Sequence, residues 1–344
     1  MARRRRTGIA TYIHELREVM ETKPASDLRV EWVFGPPGFP RLGRLTSWAN
    51  LALDMLWIHV LLPLTAARRR AAVLHAPVNW GPWWTRCPTV VTMHDLAWER
   101  VPEAFPDSFR RYARTFARHS VKRAARVIAV SESTARDLQE LYRVPHERLR
   151  VVPNGVELDT RPPVRREPFI LSVGVLEPRK RIAALVEGHA RYYAEAPSDP
   201  PPCRLVVVGG SGEDEARARA AAGPGCEFRG FIRREELLDL YRRATLLVYP
   251  SAYEGFGLPV VEAMAHGCPV LCARNSSLIE IGGESAIFLD DPSPEGIAAA
   301  LAEVLRDREA LARRGEDGRE EAARYSWSAA ATATRDVYRQ ALRR

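Results

Sequence analysis

The chain has 344 residues, more than one ordinary hydrophobic core carries and a comfortable length for two domains. Its 46% hydrophobic and 27% charged residues exclude a disordered or fibrous protein. The net charge of +8 is uneven: residues 1–165 carry 27 Lys+Arg against 16 Asp+Glu, the remainder 24 against 27.

A basic first half suits an anionic partner. No nucleic-acid-reading motif accompanies it, which leaves anionic lipid headgroups or an acidic glycan, with a merely solvated basic surface weighing equally. Cys87, Cys203, Cys226, Cys268 and Cys272 are odd in number and never spaced C-x-x-C. They read as small buried hydrophobes in a reducing compartment, not as a disulfide framework or zinc site.

Arg3 to Arg6 open the chain with no apolar stretch of the secretory kind behind them, so the expected location is the cytoplasm. Residues 48–66 form the most apolar window, interrupted by Asp54, His59 and Pro63. A spanning helix needs ~20 apolar residues, so a transmembrane span is rejected. With Trp48, Trp57 and Arg68-Arg69-Arg70 at its flanks, the window fits a helix packed on its own domain or one lying at a membrane surface.

Strand-like runs follow at 72–75, 89–93, 126–130 and 149–152, and resume after the proline-rich 162–168 at 169–173, 204–208, 245–249, 269–272 and 286–289. Helical patterns lie between most of them. Repeated β-α alternation predicts parallel sheets, and the proline-rich break predicts two in succession. Asn154-Gly155 marks a turn at the end of the first unit, and Ser326 is placed to cap a last helix.

The motif richest in chemistry runs from Pro250 to Val270. A strand ends, the loop Glu254-Gly255-Phe256-Gly257 follows, and a helix starts near Leu258 with Pro259 where a missing N–H is tolerated. Glycines admit a ligand close to the backbone, and a helix N-terminus favours an anion. Glu254 and Glu262, eight residues apart, line one pocket in this reading. A bare E-x7-E usually means two solvated carboxylates, but not within so long a string.

Upstream, Leu171-Ser172-Val173-Gly174 ends a strand and Arg179-Lys180 stands at the start of the next helix. The dipole disfavours cations there, which points to a diphosphate as their partner. Val90 to Met93 form a strand ending in His94-Asp95, and ligands bind beyond the carboxyl ends of such strands. Val208-Gly209-Gly210-Ser211-Gly212 is a glycine-rich turn, weak by itself.

Together these strings resemble the retaining glycosyltransferases of family 4, also called group 1, which have the GT-B fold. The resemblance implies an α/β protein of two Rossmann-like domains whose parallel sheets face across a cleft. Residues 1–157 form the acceptor-side domain, 158–325 the nucleotide-sugar domain, and 326–344 a helix returning to the first. It places Glu254 beside the transferred sugar, Glu262 on the ribose hydroxyls, Arg179 and Lys180 on the diphosphate and His94 on the donor sugar. Gly174, Gly209, Gly255, Phe256, Gly257, Leu258 and Ser277 join the donor pocket. Val175 stands where the family often has arginine, and Ile279 where it has proline in S-S-L-P-E. Gly8, in Thr7-Gly8-Ile9, falls on the acceptor-side loop. The implied reaction retains anomeric configuration and needs no cofactor and no catalytic metal, with which the lack of a D-x-D triplet agrees. The implied partners are a GDP-mannose or UDP-sugar donor and a glycan or lipid-linked acceptor; the basic first half and residues 48–70 add an anionic membrane surface to the expected contacts, and nucleic acid is not among them. The rival readings are a nucleotide-sugar epimerase, a phosphorylase on a similar fold, or a non-catalytic sugar-nucleotide-binding scaffold.

Family members open with a central strand before T-G-I-G, whereas only six residues precede Thr7 here. Either the reading frame begins upstream of Met1, or another segment such as Val30 to Phe34 fills the gap.

Overall fold

The structure, a computed structural model, describes residues 8–36, 44–196 and 201–343. The arginine start and Thr7 lie outside the described residues, as does the side chain of Trp48.

The first part of the chain runs α1 (Gly8–Thr22), α2 (Arg44–Leu56), α3 (Leu62–Arg68), β1 (Leu74–Ala76), β2 (Thr89–Met93), α4 (Ala97–Arg100), α5 (Asp107–Arg123), β3 (Arg126–Ala129), α6 (Glu132–Tyr142) and β4 (Leu149–Val151). It continues as β5 (Glu167–Val173), α7 (Ile182–Glu195), β6 (Arg204–Val208), α8 (Glu215–Ala220), β7 (Cys226–Gly230), α9 (Arg234–Arg243), β8 (Ala244–Tyr249), α10 (Leu258–Ala265), β9 (Val270–Ala273), α11 (Ser276–Gly282), β10 (Ile287–Leu289), α12 (Pro294–Val304) and α13 (Arg308–Ala322). It ends in α14 (Trp327–Leu342).

Two compact units result: Met1–Glu99 with Pro106–Gly155 and Ser326–Arg344, and Val156–Tyr325 with Arg100–Phe105. The change of unit falls at Gly155, two residues before the boundary expected from the sequence. A Cβ on Gly155 would stand 2.1 Å from the backbone nitrogen of Trp327, so only glycine lets the outgoing chain pass the start of α14.

The first unit holds a parallel sheet in the order β1-β2-β3-β4. α14, capped by Ser326, whose hydroxyl accepts from Ala329 N–H at 3.1 Å, packs beside α1 in this unit. A hydrogen-bonded chain ties the layers: Tyr12 on α1 to Thr92 at 3.3 Å, Thr92 to His75 Nε2 at 2.8 Å, and His75 Nδ1 to Tyr338 on α14 at 2.7 Å. The sheet as described begins at β1. Val30 to Phe34 do not stand in for a missing strand: they form no ladder and, with Pro36 unable to donate one, line a 570 Å³ cavity beside Leu74 to Ala76.

α2 and α3 make one continuous helix through a wide π-turn at Trp57–Leu61, where Leu62 N–H reaches Trp57 O. Pro63 has no N–H to bond His59, and the wide turn directly precedes it. By length and composition Ala49–Arg68 is long and apolar enough to cross a membrane.

The second unit is a six-stranded parallel sheet ordered β10-β9-β8-β5-β6-β7. The chain steps outward from β5 through β6 to β7, then returns and steps the other way from β8 to β10. The order therefore reverses between β5 and β8, which pair directly. The strands read as apolar runs because helices cover both faces. Phe169, Ile170, Leu171, Leu246 and Leu247 are fully buried. All five cysteines are free thiols, and Cys203, Cys268 and Cys272 sit in the core.

Candidate functional site

In an open parallel sheet the loops beyond neighbouring strands diverge where the order reverses, leaving a crevice at their carboxyl ends. The loop after β5 carries Arg179 and Lys180, and the loop after β8 carries Glu254. The sheet thus brings together residues 74 apart in sequence.

Lys180 donates to the Glu254 carboxylate. The same carboxylate oxygen accepts from Ser251 at 2.6 Å and from Tyr249 at 2.9 Å, while Lys180 also donates to the Tyr249 hydroxyl at 2.8 Å. Arg179 Nη1 stands 3.6 Å from that oxygen. Burial pushes the Glu254 pKa up, but Lys180 and Arg179 outweigh it and hold the carboxyl at about 2. Lys180 moves the other way: burial first, then Arg179, lowers its pKa against the pull of Glu254. Tyr249 is raised well above its ordinary value by burial and by Glu254. At neutral pH the cluster holds an ionised carboxylate that has no proton to give.

Arg179 and Lys180 do not open α7, as the sequence suggested. They lie on a short 3-10 turn, Pro178–Lys180, that ends at Arg181 in a left-handed conformation (φ 52°). The turn is tied to the next loop, since the Arg179 carbonyl accepts from Ala252 N–H at 2.7 Å.

Gly257, at φ 95°, precedes α10, and its carbonyl accepts from Val260 N–H at 2.9 Å and from Val261 N–H at 3.3 Å, while Pro259 has no N–H, so the helix start is closed by its own loop. Phe256 is buried against Tyr325, and Leu258 is half-buried. Glu254 N–H donates to Ser276 Oγ at 3.0 Å, and Ser277 Oγ donates to the Glu254 carbonyl at 2.9 Å. Ser277 therefore fixes the loop through its backbone. Glu262, buried on α10, accepts from Arg234 Nη1 at 2.5 Å and from the Tyr241 hydroxyl at 3.1 Å.

The glycine-rich turn after β6 is shaped by a neighbouring loop. A Cβ on Gly209 would lie 1.7 Å from the Gly174 carbonyl oxygen, and one on Gly212 would lie 2.2 Å from that of Leu176. Both glycines let the loops after β5 and β6 meet along their backbones.

In the first unit His94 follows β2 directly, and its backbone N–H donates to Asn79 Oδ1 at 2.6 Å. Its Nε2 lies 3.1 Å from the Pro77 carbonyl, which only accepts, so Nε2 carries the proton and Nδ1 the lone pair. Burial lowers its pKa, more than the Pro77 contact and Asp95 raise it, and the ring is neutral at pH 7. Tyr12 packs edge-on against it at 4.9 Å. Gly8 is the exposed first residue of α1.

Sequence reasoning missed Tyr249, Ser251, Arg234 and Tyr241. Tyr249 and Ser251 had a signal, since both stand at the carboxyl end of a buried parallel strand. Arg234 and Tyr241 had none, being 28 and 21 residues from Glu262 on another helix.

Two family models and several known proteins match the chain. The model described as "Glycosyl transferases group 1" matches residues 159–321, and the one described as "Glycosyltransferase Family 4" matches residues 7–160. The chain is 33% identical over 294 residues to D-inositol 3-phosphate glycosyltransferase of Thermobispora bispora, covering 78% of this chain and 68% of that one. It is 29% identical over 271 residues to O-antigen chain mannosyltransferase B of Escherichia coli, covering 73% and 70%. Among solved structures it resembles sucrose-phosphate synthase from Thermosynechococcus elongatus, with a TM-score of 0.73, 22% identity and coverage of 97% and 93%. It also resembles Anabaena HepE in complex with UDP and glucose, with a TM-score of 0.67, 16% identity and 96% coverage of each chain. These likenesses identify the fold as GT-B. The chain belongs to the group 1, or family 4, glycosyltransferases and is a hexosyltransferase of that family.

Proposed function

We propose that the protein moves a hexose from a nucleotide diphosphate sugar, GDP-mannose or a UDP-sugar, to a hydroxyl of a glycan or lipid-linked acceptor in the cytoplasm. The anomeric configuration is retained and no catalytic metal takes part. The observation that carries this reading is the buried group of Lys180, Arg179 and Glu254 at the point where the sheet order reverses.

Two cations in a low-dielectric crevice suit a departing diphosphate, whose charge grows as the bond to the sugar carbon breaks. A positioned donor of this kind is worth about 3–4 kcal/mol in such reactions. Glu254, ionised and fixed by three hydrogen bonds, suits a place beside the sugar, where positive charge develops on the ring. Glu262 takes the ribose hydroxyls, and neutral His94 offers its Nδ1 lone pair to a sugar hydroxyl. The acceptor oxygen bonds to the sugar carbon, and its proton passes to the leaving diphosphate oxygen. The relatives support the sugar class: one is a mannosyltransferase, and HepE is seen with UDP and glucose.

A thermal-shift screen with nucleoside diphosphates and their sugars tests the reading, because a ligand that binds only the native state raises its melting temperature. One base is expected to stand out, with its sugar conjugate transferred to an acceptor. A protein stabilised by none of them would refute the donor assignment.

A further inference from the structure

The helix formed by α2 and α3 carries an apolar stripe that its own unit leaves uncovered. Leu56, Val60 and Leu64 stand four residues apart with Leu61 beside them, and they are 47%, 41%, 38% and 39% exposed. Ala49–Arg68 has a mean hydropathy of 1.4, yet only 22% of its most apolar window is buried. A core helix of that composition would be enclosed by its neighbours.

The opposite side is occupied. His59, Pro63 and Ala66 are buried, and the His59 ring lies 4.6 Å from Trp83, which in turn stacks on Phe116 of α5 at 5.4 Å. These contacts join the helix, the Trp83-Trp84 loop and α5 into one platform. Trp83 and Trp84 remain 45% and 42% exposed. Exposed cations stand beside the apolar surface: Arg68 to Arg70 at the end of the stripe, with Arg69 paired to Glu31 at 2.9 Å, and Arg123, which shares a small recess with Trp84.

We propose that this platform docks on an anionic lipid surface, with the helix lying in the plane of the interface. Apolar residues along one side, tryptophan at the margin and arginine at the end of the stripe are what an interfacial helix requires. A second copy of the chain is disfavoured, because joining two such faces would set like charges against each other. Spanning is disfavoured too. Asp54 and Trp57 line the cavity beside β1, and His59 is held by Trp83 and Phe116, so insertion would strip the unit of this wall.

Sedimentation of the full chain with vesicles, without donor or acceptor, tests the proposal, and its failure leaves the donor-site reading standing. Vesicles of phosphatidylcholine with phosphatidylglycerol are expected to retain the protein at low salt and release it at high salt, whereas phosphatidylcholine alone retains little. Replacing Arg68, Arg69 and Arg70 by Ser should weaken partition about 100-fold. Val60→Asp with Leu64→Asp should lose binding while the melting temperature is kept, and Trp84→Ala, on a separate loop, should weaken it independently. Equal recovery on both vesicle types would overturn the proposal. So would protein that resists both high salt and alkaline carbonate, which marks an inserted helix, or self-association that the Asp variants abolish without any vesicle binding.

Discussion

The Tyr249 hydroxyl donates to the Glu254 carboxylate across 2.9 Å, at the end of the strand that delivers both residues to the crevice. It also accepts from Lys180 at 2.8 Å, so one buried phenol hydrogen-bonds both members of an ion pair already in direct contact. Tyr249→Phe keeps the ring and removes that bridge. Transfer is expected to fall about tenfold, with a stability cost of about 1 kcal/mol, because Ser251 and Lys180 still hold the carboxylate. Steady-state kinetics and urea unfolding of the purified variant check both numbers; unchanged turnover would remove Tyr249 from the site.

Glu254→Ala and Lys180→Ala should each lower transfer by about 100-fold or more while the fold survives. Arg179 remains near Glu254 when Lys180 is gone, which limits the cost of an unpaired buried charge. Near-normal turnover by folded Lys180→Ala protein would count decisively against its place on the diphosphate.

Glu262→Ala should act on binding. The carboxylate is oriented by Arg234 and Tyr241, and losing its bonds to a ribose is expected to weaken nucleoside diphosphate affinity about 10- to 100-fold. Calorimetry with the nucleoside diphosphate reads this directly. A variant that binds as the parent does would show that Glu262 serves only the packing of α9 against α10.

The lowered pKa of Lys180 predicts an early alkaline limit to binding. A diphosphate adds negative charge and raises that pKa, so binding takes up a proton wherever the free lysine has lost it. Affinity should be flat below the free-enzyme pKa and weaken above it, with a break below the ordinary lysine value of 10.5. Arg179→Gln removes a cation that lowers Lys180, so the break should move to higher pH. A break that stays put would separate Lys180 from the titration.

Acid should destabilise the first unit through His75. Its ring is half-buried and hydrogen-bonded to Thr92 and Tyr338, and its loss of solvent, with His94 adding to it, lowers its pKa from 6.5 to about 3. Between those values the unfolded chain binds the proton and the folded one does not. The His75 contribution to stability is therefore fully present above pH 6.5 and is lost as the pH falls toward 3, by at most about 1.4 kcal/mol per pH unit. Urea midpoints across this range should show the slope, and His75→Gln should reduce it.

The alternation of strands and helices and the Glu254 loop were readable because each lies in a contiguous run punctuated by glycine or proline. Other features depend on tertiary distance. Arg179 and Lys180 looked like a helix start, yet the left-handed Arg181 separates them from α7. Tyr249 looked like one more aromatic residue in a strand, and its role shows only when the loop after β5 lies beside it. Gly209 read as a ligand-facing glycine, whereas the space it leaves is filled by the Gly174 carbonyl.

The packing of α14 beside α1 reaches into the order in which the protein is made. The second unit is nearly all one uninterrupted stretch, and every strand of its sheet has left the ribosome before α14 exists. The first unit is synthesised earlier but must wait for Trp327 to meet Tyr12 and for Tyr338 to meet His75. The half of the molecule that emerges first is thus the half completed last, and during that interval the surface that α14 will cover is open to solvent and to chaperones.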